Sequence, residues 1–153
     1  MIEMTAKEYL RQLKSLEIKI NQRRQERDRL IAEAMGNSSP RLTVDKVQTS
    51  ISGDTMGDKL AEAADIQREV DWLINKLIAD RHRIIGEIHT LTDARYIQIL
   101  YLHYVEGKRL EDVAEIMIKP NGKPYSYDHI ASLHGMALQE FDRIILKSHG
   151  NHE

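Results

Sequence analysis

Four cations and four hydroxyl, phenol or imidazole groups fall between residues 108 and 132: Lys108, Arg109, Lys119 and Lys123, then Ser126, Tyr127, His129 and Ser132. These residue types suit nucleic-acid contact. Ammonium and guanidinium groups neutralise backbone phosphates, which supplies most non-specific affinity. Short hydroxyls, a phenol and an imidazole bond to base edges or to the sugar-phosphate chain. The plain alternative is a solvated or protein-docking surface. Charge leans that way: from Thr92 to Lys147, seven Lys and Arg stand against eight Asp and Glu. Asp128 suits a helix N-terminus but opposes a polyanion.

No catalytic constellation is visible. The sequence has no phosphate-cradling Gly-rich loop and no nucleophile elbow, so no enzyme, cofactor or small-molecule substrate is expected. With Cys at 0, disulfides and thiolate chemistry are excluded. His82 and His89 stand two helical turns apart, and His129 and His134 have the wrong spacing for one helix face. Neither pair fits the i, i+4 zinc arrangement, so no metal is expected. Net charge is −2 at pH 7, giving no global cationic field. No apolar run approaches the ~20 residues that span a bilayer, and the N-terminus lacks the plan of a signal peptide. A cytoplasmic protein without membrane contact is the expectation.

The elements that must position these residues read as helices. The chain has 30% charged and 5% aromatic residues, which favours a helical protein over a sheet protein. Residues 4–34 contain no Gly or Pro. Thr5 and Glu8 form a capping box, and Gly36-Asn37 ends the helix. Leu13, Leu16, Ile20 and Leu30 follow a coiled-coil seam that Ala6 and Tyr9 extend backward, with Arg23 and Arg27 interrupting it. Arginines there must meet acids across the seam or lie beyond the partner. From Arg11 to Arg29, seven Lys and Arg face three interleaved acids, a pattern read as a solvated face. Residues 36–58 read as a linker, with Val44–Ile51 open to an extended conformation. A second long helix over 59–91 repeats Val70, Leu77, Ile84 and Leu91 every seventh residue, while Trp72 lies off that stripe. The two long helices form an antiparallel hairpin or pair with another subunit. Burial of Leu13, Leu16, Ile20, Leu30, Val70, Leu77 and Ile84 then predicts self-association, a dimer being the simplest closed form.

The C-terminal part, 92–153, reads as three helices. Thr92 or Asp93 caps the first, which runs to about Val105. Glu106-Gly107-Lys108 turns the chain. Leu110, Val113, Ala114 and Met117 mark a short second helix. The loop 118–124 follows, with Asn-Gly between two prolines. Ser126 caps the third helix, to about Lys147, burying Ile130, Leu133, Ala137, Leu138, Phe141 and Ile145. The expected fold class is all-α: a long helical hairpin or coiled coil over 1–91, then this three-helix module.

The pattern Leu91-x3-Arg95-Tyr96-x2-Ile99-Leu100-x-Leu102-x-Tyr104-x2-Gly107-x2-Leu110-Glu111-Asp112-Val113-Ala114, then Ser126-x3-Ile130-x3-His134-x2-Ala137-Leu138, resembles sigma-factor region 4. Together with "MTAKEYLRQL" and "DKVQTSISGD", the whole chain resembles small phage and prophage proteins whose C-termini are similar to region 4 and to late transcriptional regulators of the ArpU and RinA kind. The resemblance implies a helix-turn-helix transcriptional regulator that binds duplex DNA, or a module that touches RNA polymerase. It also implies that His134 packs or bonds locally. Two features depart from that pattern: the inserted 118–124 loop, and a last helix showing Tyr127, Asp128, His129, Ala131, Ser132 and Met136 where cations are usual. The alternative is a structural adaptor without DNA contact, or a packaging adaptor similar to a terminase small subunit.

Overall fold

The computed structural model describes residues 3–36 and 52–149. The expected all-α class holds. Among the described residues the regular structure is helical, and the one extended pairing is an isolated antiparallel bridge between Ile118 and Pro124. The helices are α1 (Ala6–Leu10), α2 (Gln12–Ala34), α3 (Ser52–Ile88), α4 (Ala94–Leu100), α5 (Leu110–Ile116), α6 (Tyr127–Phe141) and α7 (Lys147–His149). Wider π-helical turns, Tyr101–Val105 and Asp142–Leu146, continue α4 and α6. α3 begins at Ser52, inside the expected 36–58 linker, because Ser52–Asp58 joins the helix. The expected extended stretch Val44–Ile51 lies outside the described residues.

The chain divides into two compact units, Leu16–Lys76 and Met1–Ser15 with Leu77–Glu153. In the first of these, α2 and α3 run antiparallel. Arg23 meets Glu69 at 3.2 Å, the Arg27 guanidinium bonds the Gln67 carbonyl, and Lys59 meets Glu33 at 3.4 Å. One residue number falls as its partner's rises. Leu16, Ile20 and Leu30 are buried, as are Ala63, Ile66, Val70 and Leu73. Arg23 and Arg27 thus find polar partners on α3, which reconciles them with an apolar seam. Such half-exposed pairs are worth about 0–1 kcal/mol, so apolar burial carries the hairpin and the pairs fix its register.

The residues expected in a self-association seam are packed as follows. Leu16, Ile20, Leu30 and Val70 are covered within their own chain. Leu13 and Ile84 are buried in the core of the other unit, with Leu77 partly buried against it.

The other unit joins both ends of the sequence. The Thr5 hydroxyl accepts from the Glu8 amide, and the Glu8 carboxylate accepts from the Thr5 amide, as the capping box predicts. α1 leads to Arg11, whose ψ of −9° marks a brief break before α2. Ala6, Leu10 and Leu13 share one core with Ile84, Ile88, Leu91, Leu100, Tyr104, Ala137 and Phe141. The expected boundary at Leu91 therefore falls inside this unit. The physical reason is plain: α1 is too short to bury its own face, and α6 supplies the cover. A second cluster, Ile99, Val113, Ala114, Met117, Ile130 and Leu133, ties α4, α5 and α6 together.

Candidate nucleic-acid interface

α6 begins where the sequence places it. The Ser126 side chain accepts from the His129 amide at 3.2 Å. That cap satisfies one of the amides left without a helical partner. Ile130, Leu133, Ala137 and Phe141 face inward. Tyr127, 48% exposed, and Met136 point outward, with Asp128, His129 and Ser132 also exposed.

The inserted loop is ordered by its own chemistry. Met117 leaves α5 in extended backbone. The Lys119 amide donates to the Lys123 carbonyl at 2.8 Å, and the Gly122 amide donates to the Lys119 carbonyl at 2.9 Å. Gly122 takes φ +83°, a left-handed conformation that favours glycine. The Lys123 amide donates to the Asn121 side chain at 3.0 Å. Pro120, with its φ fixed near −65°, opens the turn. The result is a miniature hairpin, and it stands immediately before α6. Because Lys119 and Lys123 are directly opposed across it, their side chains leave the same face. The Lys119 ammonium lies 5.5 Å from the Tyr125 ring centroid, and Tyr125 lies 5.0 Å from the His129 ring. The cation, phenol and imidazole form one cluster at the start of α6, with the two rings tilted by 58°. Tyr125 was not among the residues singled out from sequence. Its position one residue before the Ser126 cap was the available signal.

The turn before α5 is fixed differently. Gly107, at φ +73°, reverses the chain. The Lys108 amide donates to the Leu102 carbonyl at 2.9 Å. The His103 Nδ1 lies 2.6 Å from the Lys108 carbonyl, so Nδ1 carries the proton and donates. Lys108 is exposed. Arg109 pairs with Asp112 at 3.3 Å. Of the sequence-derived set, Lys119, Lys123, Ser126, Tyr127 and His129 gather at the hairpin and the first turn of α6. Ser132 follows on α6, and Lys108 with Arg109 belong to the separate turn.

Behind these surfaces is a column of rings that spacing did not reveal. The Tyr104 hydroxyl and His134 Nε2 share a hydrogen bond at 2.8 Å, and His103 stands edge-on to His134 with centroids 5.3 Å apart. His103 and Tyr104 lie in the π turn that continues α4, and both meet His134. Burial pushes the Tyr104 phenol up to about 12. Burial first, then the charges of His103, Lys7 and Arg11, pushes His134 down to about 4. His134 is thus neutral in the folded protein at pH 7 and bonds locally. Unfolding releases it to its ordinary value of 6.5. The unfolded chain then binds the extra proton, so stability falls as pH drops from about 6.5 towards about 4. Solvent at the half-buried ring limits the loss to about 1–2 kcal/mol. A melting-temperature profile over that range should show the decline, and His134→Gln should flatten this component.

No family model, curated protein or solved structure matches the chain. Its functional reading therefore rests on its own residues. Among the described residues no helix is long and apolar enough to cross a membrane, and no group of three or more metal-ligating side chains is assembled.

Proposed function

We propose that the chain is a DNA-binding transcriptional regulator in which α5, the hairpin and α6 act as a helix-turn-helix. α6 enters the major groove and the hairpin lysines hold the phosphates. One observation carries this reading. The core of Ile99, Val113, Met117, Ile130 and Leu133 fixes α4, α5 and α6 from behind, which leaves the outer side of α6 exposed beside Lys119 and Lys123. α4 supports the pair, α5 crosses the backbone, and α6 presents Tyr127, His129 and Ser132 from its first turns. Contact with RNA polymerase is part of the same proposal, through the resemblance to sigma region 4.

The adaptor reading has its own support in the parity of charge from Thr92 to Lys147 and in the exposed Tyr127 and Met136. Salt separates the two. Each phosphate contact contributes about 0.9 to the slope of log K against log salt. Replacing Lys108 and Arg109 together by Ala should lower that slope by about 1 rather than 2. Arg109 contributes less because it is already shared with Asp112. Duplex titrations over a salt series measure the slope, and an unchanged value would remove the 108–109 turn from the interface.

A further inference from the structure

The turn before α6 carries covalent chemistry of its own. Asn121 is the one asparagine in the chain followed by glycine. Both residues are exposed, and a β-carbon built at Gly122 would meet nothing within 4 Å. We infer that Asn121 and Gly122 form a self-modifying site: the Gly122 amide attacks the Asn121 side chain, and water completes its conversion to aspartate and isoaspartate.

The step needs water alone as co-reactant and involves no oxidation. The Gly122 nitrogen gives up its proton and bonds to Asn121 Cγ. The Cγ–Nδ2 bond then breaks, and the side-chain nitrogen departs with a proton as ammonia. The product is a five-membered cyclic imide. Water opens it at either carbonyl. Cleavage of the new Cγ–N bond gives aspartate. Cleavage of the original main-chain bond gives isoaspartate, in which the chain runs on through Cβ and Cγ and the former main-chain carbonyl becomes a carboxylate.

Three features of the turn favour that attack. Gly122 has no side chain to crowd the nitrogen, and the space around it is open to water. The Asn121 side-chain oxygen accepts from the Lys123 amide at 3.0 Å, and the ring closed by that bond contains the Gly122 nitrogen. The same bond draws electrons from Cγ and stabilises the oxyanion that forms there. Lys119 and Lys123 flank the pair, and positive charge nearby favours the deprotonated amide. Ring closure also requires the Gly122 amide to leave the Lys119 carbonyl, to which it donates at 2.9 Å. An exposed turn opens this far at small cost. Asn21 and Asn75 lie inside the long helices α2 and α3, followed by Gln22 and Lys76, and have neither freedom. The product sets a carboxylate between two lysines. The isoaspartate form also adds a methylene to the main chain, so the bonds of the turn no longer close together. On the regulator reading, on which this consequence rests, the hairpin loses its hold on phosphate as the protein ages.

The test is incubation of the full chain under native conditions, followed by peptide mapping with mass spectrometry and enzymatic methylation of isoaspartate. Conversion should appear at Asn121 ahead of Asn21 and Asn75, yield both products, and accelerate with pH because the amide anion is the attacking species. Gly122→Ala should slow it about tenfold or more, since the methyl group crowds the nitrogen. Alanine is strained at φ +83° and loosens the turn, so slowing cannot come from a tighter fold. Three results would each overturn the inference: Asn121 intact in the folded chain while a free peptide of residues 117–127 converts, aspartate formed without isoaspartate, or Gly122→Ala converting as fast as the unmodified chain. The consequence has a separate readout. Asn121→Asp, which carries the new charge from the start, should weaken duplex binding about 3- to 10-fold at low salt. The mass measurements involve no DNA, so their failure is distinct from failure of the regulator reading.

Discussion

Phe141→Ala should lower the unfolding free energy by about 3–5 kcal/mol, the largest effect of any single truncation outside the functional surface. Phe141 is fully buried and is the one phenylalanine in the chain. Its ring stands 5.8 Å from that of Tyr9 and shares a core with Leu10, Ile88, Leu100 and Ala137. The residue therefore holds together segments from both ends of the sequence, and truncation leaves a cavity that none of them can fill alone. Urea denaturation measures the loss. Amide exchange should accelerate in α1 and α6 together. Trp72→Ala supplies the contrast: the ring is 63% exposed, and its removal should change stability by less than about 0.5 kcal/mol. Comparable losses from the two variants would contradict the assigned core.

The second large effect concerns the hairpin. Replacing Lys119 and Lys123 together by Ala should reduce the salt slope of duplex binding by about 2 and weaken binding about 10- to 100-fold at low salt. Lys119 and Lys123 are paired across the turn, which leads directly into the positive end of the α6 dipole. Helical circular dichroism should be unchanged. The turn is built by Pro120, Asn121 and Gly122 through backbone bonds, not by the lysine side chains. Loss of binding without loss of slope would assign the lysines a role in folding rather than in phosphate contact.

The helices themselves were legible in the sequence. Thr5 with Glu8, Asp93 and Ser126 cap α1, α4 and α6, and Gly107 and Gly122 take the left-handed conformations their turns require. The buried face of α6 follows directly from periodicity, because a 3.6-residue repeat is a local property. What could not be read is tertiary. The seam of Leu16, Ile20 and Val70 announces burial but not whose helix buries it, since the same spacing serves one chain or two. Ala6 and Tyr9 continue that spacing, yet they turn to the core of Phe141 because α1 breaks at Arg11. The contact of His134 with Tyr104 and His103 joins α6 to a π turn, which carries no sequence repeat of its own. Of the candidate site, Lys119, Lys123 and Ser126 came from turn and cap chemistry. The placement of Tyr125 between Lys119 and His129 needed the hairpin to be seen folded.

The central claim is that α6 and its hairpin meet duplex DNA. Anisotropy of a labelled duplex, titrated with the full chain at low and at moderate salt, tests it most directly. The account predicts clear binding at low salt that weakens linearly in log–log form as salt rises. Absence of binding at low salt, where phosphate contacts are strongest, would contradict it and leave the adaptor reading in its place.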